Sequence, residues 1–246
     1  LTEEMEKWVS NRLDRLEEIH GFILKAKSPS CGMGDVKVYG PTGRGLISGK
    51  EDGFFGREVR RRYPNLAVED EARLSDNTIL DHFLTKLFTI ARFHEYRRKG
   101  EARDLIEFHS RHKFLLMAYS QKELREMGGI VATQKEKGTG KAWDLYSIHL
   151  LRALAKGAKY TSHINVLTHC FGFVSERLER AERGFFLDLV EAYRDDRVPL
   201  STCKEVIRAM ILRFDVEYLK DQFYFRPYPV ELAPGYDPKR NRELWR

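Results

Sequence analysis

The chain has 246 residues, 42% hydrophobic and 33% charged, the balance of a soluble globular protein with room for one large domain or two small ones. Lys and Arg outnumber Asp and Glu by 43 to 37, a net charge of +6 that welcomes an anionic partner without requiring one. No apolar run approaches the roughly 20 residues that span a bilayer, no signal peptide follows Leu1, and three scattered cysteines without a CxxC pair argue against a disulfide framework or a zinc finger. A reducing cytoplasm is therefore the expected location, and no membrane partner is expected. Leu1 is not a methionine, which leaves room for a segment upstream.

In chain order, Thr2 can cap a helix whose first turn holds Glu3 and Glu4, with Met5, Trp8, Val9, Leu13, Leu16 and Ile19 on one face up to Gly21. Phe22-Ile23-Leu24 reads as a buried strand. Seven glycines between Gly32 and Gly53 predict loop and turn there. A short helix over 54–62 stops before Pro64, and Leu66-Ala67-Val68 predicts another strand, so this part has an α/β pattern. After Ser75-Asp76 the periodicity becomes helical throughout: 80–91, 105–119, 143–154, 164–178, 185–193 and 204–212 all hold helical spacing, with a break at Gly138-Thr139-Gly140. The tail from Arg226 carries four of the eight prolines and reads as extended. The predicted fold class is α+β: a partial α/β, Rossmann-like domain over 1–75, then an all-α helical domain over 76–246.

Several groups carry candidate chemistry. Cys31 follows the C-terminal end of a predicted strand, where open α/β sheets place their ligands, with Ser28 and Ser30 beside it and Gly32 and Gly34 permitting close backbone approach. From spacing alone, a structural cysteine in a turn is favoured over an iron ligand. Neither Gly49-Lys50 nor Gly140-Lys141 completes a phosphate-loop motif. His109 and His112 share a helical face, as do Asn165 and His169, while His163 aligns with Leu167. Two such helices can build a metal site, but no carboxylate is spaced with them, and satisfied interhelix histidines are favoured. Two basic runs, Arg57, Arg60, Arg61 and Arg62, and Arg97, Arg98 and Lys99, read equally as solvated helix faces or as phosphate contacts. The aromatics Phe223, Tyr224, Phe225, Tyr228 and Tyr236 either stack on unpaired bases beside Arg226 or pin the tail to the helical core.

Two stretches resemble known families. Residues 21–34, GFILKAKSPSCGMG, with Leu66–Glu69, resemble the C-terminal half of the thiouracil desulfidase (TudS) family. Residues 108–120, FHSRHKFLLMAYS, with His163–His169 and Tyr224–Leu232, resemble the YbgA-type domain. In this order they are similar to the fused tRNA 4-thiouridine desulfidases (RudS). The resemblance implies an enzyme that removes sulfur from a thiolated base through a [4Fe–4S] cluster held by three cysteines, with one iron open to the substrate's sulfur. Cys31 matches the last of those cysteines, and Ser28 and Ser30 match the motif serines as catalytic candidates. The first two cysteines and a neighbouring glutamate fall in a segment this sequence does not contain, and Tyr119 stands where relatives often carry His. The helical domain would then grip tRNA or another thiolated nucleic acid through Arg97, Arg98, Lys99, Arg103, Arg111 and Lys113. The rival readings are a non-catalytic nucleic-acid-binding module and a metal-dependent hydrolase built on His109, His112, His163 and His169.

Overall fold

The computed structural model describes residues 2–39 and 46–233; Tyr236, the last of the tail aromatics, lies outside them. The chain divides into two compact units, one of Leu1–Ala91 with the stretch from Glu231, the other of Arg92–Val230. The architecture is mixed α and β, with all the strands in the first unit.

In the first unit α1 (Thr2–Asp14) leads to β1 (Gly21–Leu24), an antiparallel hairpin of β2 (Val36–Tyr39) and β3 (Leu46–Glu51), α2 (Phe54–Arg62) and β4 (Ala67–Asp70). β4 pairs with β1 in parallel, Gly21 opposite Ala67 and Leu24 opposite Asp70, a strand–helix–strand crossover with a hairpin inserted in it. Val9, Leu13 and Val59 form the buried core between α1 and α2, and Phe22, Phe55 and Tyr63 pack against it. Two expectations are corrected here. The glycine-rich stretch is not all loop: Val36, Lys37, Val38 and Tyr39 alternate as a strand, and the glycines flank it. The first helix ends at Asp14, and Trp8 is 57% exposed instead of sharing the buried face.

Helix α3 (Asn77–Lys99) contains the division between the units. The second unit continues with α4 (Ala102–Tyr119), α5 (Gln121–Ala132), α6 (Gln134–Lys137), α7 (Thr139–Ala153), α8 (Tyr160–Gly172), α9 (Arg180–Arg194), α10 (Leu200–Arg213) and α11 (Glu217–Lys220). Gly100, at φ +76°, turns α3 into α4, and Gly138, at φ +85°, separates α6 from α7, both in the left-handed region that glycine enters without strain. α4, α8 and α10 surround a core that includes Phe114, Leu115, Val166, Leu167, Phe186 and Ile207. The aromatic segment closes that core with Tyr224 and Phe225; Tyr228 is buried as well, so these three rings are not free to stack on bases.

Candidate active-site loop and candidate RNA interface

The loop carrying Cys31 leaves the C-terminal end of β1 and is tied down at both ends. Glu71 accepts the Ala26 amide at 2.8 Å and the Lys25 ammonium, which holds its carboxyl below the usual range. Asp35 accepts the Lys27 amide at 2.6 Å, fixing Lys27 at φ +58°, a conformation non-glycine residues rarely adopt. Ser28 Oγ accepts the amides of Ser30 at 3.3 Å and Cys31 at 3.2 Å, so this hydroxyl shapes the turn under the thiol.

The loop backbone also caps α2. Gly53 offers that helix no side-chain cap, and the carbonyls of Pro29 and Ser30 accept the amides of Phe54, Phe55 and Gly56 at 3.3, 2.8 and 3.1 Å. The contact is possible only because three glycines line it. A Cβ on Gly53 would lie 2.3 Å from the Ser30 carbonyl oxygen, one on Gly56 2.6 Å from that of Gly32, and one on Gly32 2.3 Å from Val36 Cγ2. Cys31 is thereby presented half-buried on a braced loop. Ser30 contributes its carbonyl to the cap.

A cluster of the kind the resemblance implies takes three thiolates, and this chain presents one at the loop. Cys170 and Cys203 are fully buried in the helical core, and burial raises the Cys170 thiol to about 12, the opposite of what a metal-binding thiolate needs. The residues of this chain therefore do not compose a complete cluster site. Anaerobic reconstitution followed by iron and sulfide assay should leave the chain well short of a full complement; about four irons per chain with matching sulfide would contradict this.

The histidines of the helical unit go to separate partners. His112 is fully buried; its Nδ1–H donates to the Phe108 carbonyl at 2.8 Å and its Nε2 accepts from Arg92 Nε at 3.3 Å, so both nitrogens are used and the tautomer is fixed. Phe223 stacks on the same ring at 4.5 Å and receives the guanidinium of Arg92 at 4.0 Å and of Arg111 at 4.8 Å. His109 meets the Tyr146 hydroxyl at 3.0 Å, and His163 that of Tyr224 at 3.2 Å. Burial lowers His109 to about 4 and His163 to about 3, and drives His112 well below the ordinary imidazole value. His169 is exposed, and the buried Asn165 Nδ2 has no hydrogen-bond partner among the described residues. His109, His112 and His163 brace helices and aromatic rings. Arg92 and Gln222, which donates to the Ser110 carbonyl at 2.9 Å, belong to the same bracing and were missed in the sequence because no local pattern links them to α4.

The basic runs part company. Arg57, Arg60, Arg61 and Arg62 pair with Glu6, Asp52, Glu58 and Asp14, a set of ion pairs bracing α2 within the first unit. In the second unit Lys99, Arg103 and Arg111 line one open cavity of about 870 Å³ together with Asp104, Glu107 and Asp221. Arg103 pairs with Glu101 at 2.8 Å, and Arg111 reaches Glu107 at 3.5 Å and the Tyr96 hydroxyl at 3.2 Å. Arg97 turns to Asp144, and neither it, Arg98 nor Lys113 lines the cavity, although all three are exposed. Exposed pairs of this kind are worth about 0–1 kcal/mol, so a polyanion can displace the carboxylates.

The two units match two different families. Residues 1–71 match a family model described as 2-thiouracil desulfurase, and residues 113–229 match one described as a protein of unknown function, DUF1722. The chain therefore joins a 2-thiouracil-desulfurase-like segment to a YbgA-like one. It is 27% identical over 151 residues to the uncharacterized protein YbgA of Escherichia coli (strain K12), across 61% of this chain and 89% of that one. No solved structure matches the chain significantly. No helix among the described residues is long and apolar enough to cross a membrane.

Proposed function

We propose that this protein takes part in removing sulfur from a thiolated base in tRNA, 4-thiouridine in particular, and that its helical unit binds the RNA. The observation that carries the reading is the coincidence, in the segment matching a desulfurase, of a half-buried thiol with a loop held to one shape by three obligatory glycines. In this reading Cys31 is one thiolate of an iron–sulfur cluster whose other ligands this chain does not supply. Replacing a ring C=S by C=O consumes water and releases hydrogen sulfide, with no net change in oxidation state. Ser28 orients the turn that presents Cys31, and Lys99, Arg103 and Arg111 contact phosphates.

Filter binding of tRNA across a salt series tests the RNA-binding half. The logarithm of affinity should fall with log salt by about 0.7 to 0.9 per phosphate contact, and Arg103→Ala should lower the slope by about one. Thiolated and unthiolated tRNA should bind equally, because phosphates do not report the sulfur. A salt-independent affinity would place RNA recognition elsewhere.

A further inference from the structure

Helix α9 (Arg180–Arg194) carries a face that the fold of the helical unit does not use. Phe186 and Val190 turn into the core. On the other side Arg180, Gly184, Leu187 and Glu191 recur at i, i+4, i+7 and i+11, one continuous stripe along the helix. Leu187 is 51% exposed at the middle of the stripe, and Arg183 and Asp188 flank it, both exposed. A Cβ on Gly184 would meet nothing within 4 Å among the described residues, so the stripe has a gap beside its leucine.

The charges on this stripe run against their own helix. Arg180 is the first residue of α9, and Glu191 lies in its last turn. The positive end of the helix dipole disfavours a cation at the first place, and the negative end disfavours an anion at the second. Arg180, Arg183 and Asp188 have no side-chain partner among the described residues, and Glu191 pairs with Arg194 one turn along the same helix. The face is therefore positive in its first half and negative in its second, with a leucine and a gap between.

A second copy of the same helix, laid antiparallel on the first, answers each of these features. With a two-fold axis passing between Phe185 and Phe186, Leu187 of each copy enters the gap at Gly184 of the other. Arg180 of each copy then faces Glu191 of the other, and the positive half of each helix lies on the negative half of its mate. A parallel pair would instead set arginine on arginine and glutamate on glutamate. We infer that α9 is a two-fold interface through which two copies of this chain associate by their helical units. A contact one helix long falls below the roughly 1,200 Å² of a standard interface, so the dimer is weak and reversible, with a Kd of about 10–100 μM. The inference stands independently of the sulfur-removing and RNA-binding roles.

Sedimentation equilibrium of the whole chain, at concentrations spanning about a hundredfold on either side of that Kd, tests this. The unaltered protein should pass from monomer to dimer over the range. Arg180→Glu and Glu191→Arg should each weaken dimerisation about tenfold or more, because each reversal sets two like-charge pairs across the two-fold axis. The two substitutions combined in one chain restore both pairs in the antiparallel arrangement, so the double variant should dimerise like the unaltered protein. Gly184→Leu should abolish the dimer while the monomer melts no lower, since leucine is the better helix former. Phe185→Ala, on a different side of the same helix, should leave the dimer unchanged. A chain that stays monomeric throughout, a double variant no better than the single ones, or a dimer that Phe185→Ala dissolves and Gly184→Leu spares would overturn the interface.

Discussion

Acidification from pH 7 to 5.5 should lower the melting temperature of the helical unit by roughly 10 °C, without any change in its ligands. Three imidazoles are held neutral by burial: His109 at about 4, His163 at about 3 and His112 well below its ordinary value. In the unfolded chain each titrates near 6.5, so between these values the unfolded state holds more protons and gains relative to the fold as pH falls. Each histidine contributes up to about 1.4 kcal/mol per pH unit in that window. His163→Gln, which cannot take up a proton, should make the decline shallower by about a third of its slope. Melting curves followed by helical circular dichroism measure both. A flat profile, or stability that rises on acidification, would mean that these rings carry their protons in the fold.

The second large effect is expected at a glycine. Alanine in the body of a helix normally stabilises by about 1 kcal/mol over glycine. At Gly56 the sign should reverse, because the added Cβ would stand 2.6 Å from the Gly32 carbonyl oxygen and 2.7 Å from that of Cys31, both backbone atoms that cannot swing aside. Gly56→Ala should therefore destabilise the first unit by about 2–3 kcal/mol and loosen the Cys31 loop, so that the thiol reacts faster with a small alkylating reagent. Gly49→Ala is the control, since among the described residues nothing lies within 4 Å of its Cβ position. Chemical denaturation and labelling rates read the two consequences separately. Equal behaviour of the two variants would mean that the loop is not braced against α2.

Much of this was legible in the sequence because it depends on local periodicity. The long helices from α3 onward announce themselves in the spacing of Leu80, Phe83, Leu84, Leu87 and Ile90, and the strands β1 and β4 in short apolar runs. The hairpin was not, because the glycines flanking Val36–Tyr39 carry a loop signal strong enough to hide four alternating residues. The individual partners of His112 were not legible either. Arg92 lies 20 residues upstream and Phe223 more than a hundred downstream, and only the folded chain brings them to one ring. Cys31 could be singled out by its place after a strand, but its bracing depends on Gly53 and Gly56, which a sequence shows only as two more small residues. The cation runs show the same limit from the other side: charge spacing alone does not separate Arg61, paired with Glu58 on its own helix, from Arg103, which pairs with Glu101 and also lines an open cavity.

The most direct test of the central claim is the 4-thiouridine content of tRNA in a bacterium that makes this nucleoside, with and without expression of this chain in a form that also carries the two cluster thiolates it does not itself supply. Expression should convert 4-thiouridine to uridine one for one, and the Cys31→Ser protein, present at the same level and still binding tRNA, should leave the thiolated nucleoside untouched. An unchanged 4-thiouridine content on expression of the unaltered protein, or an equal fall with Cys31→Ser, would contradict the account.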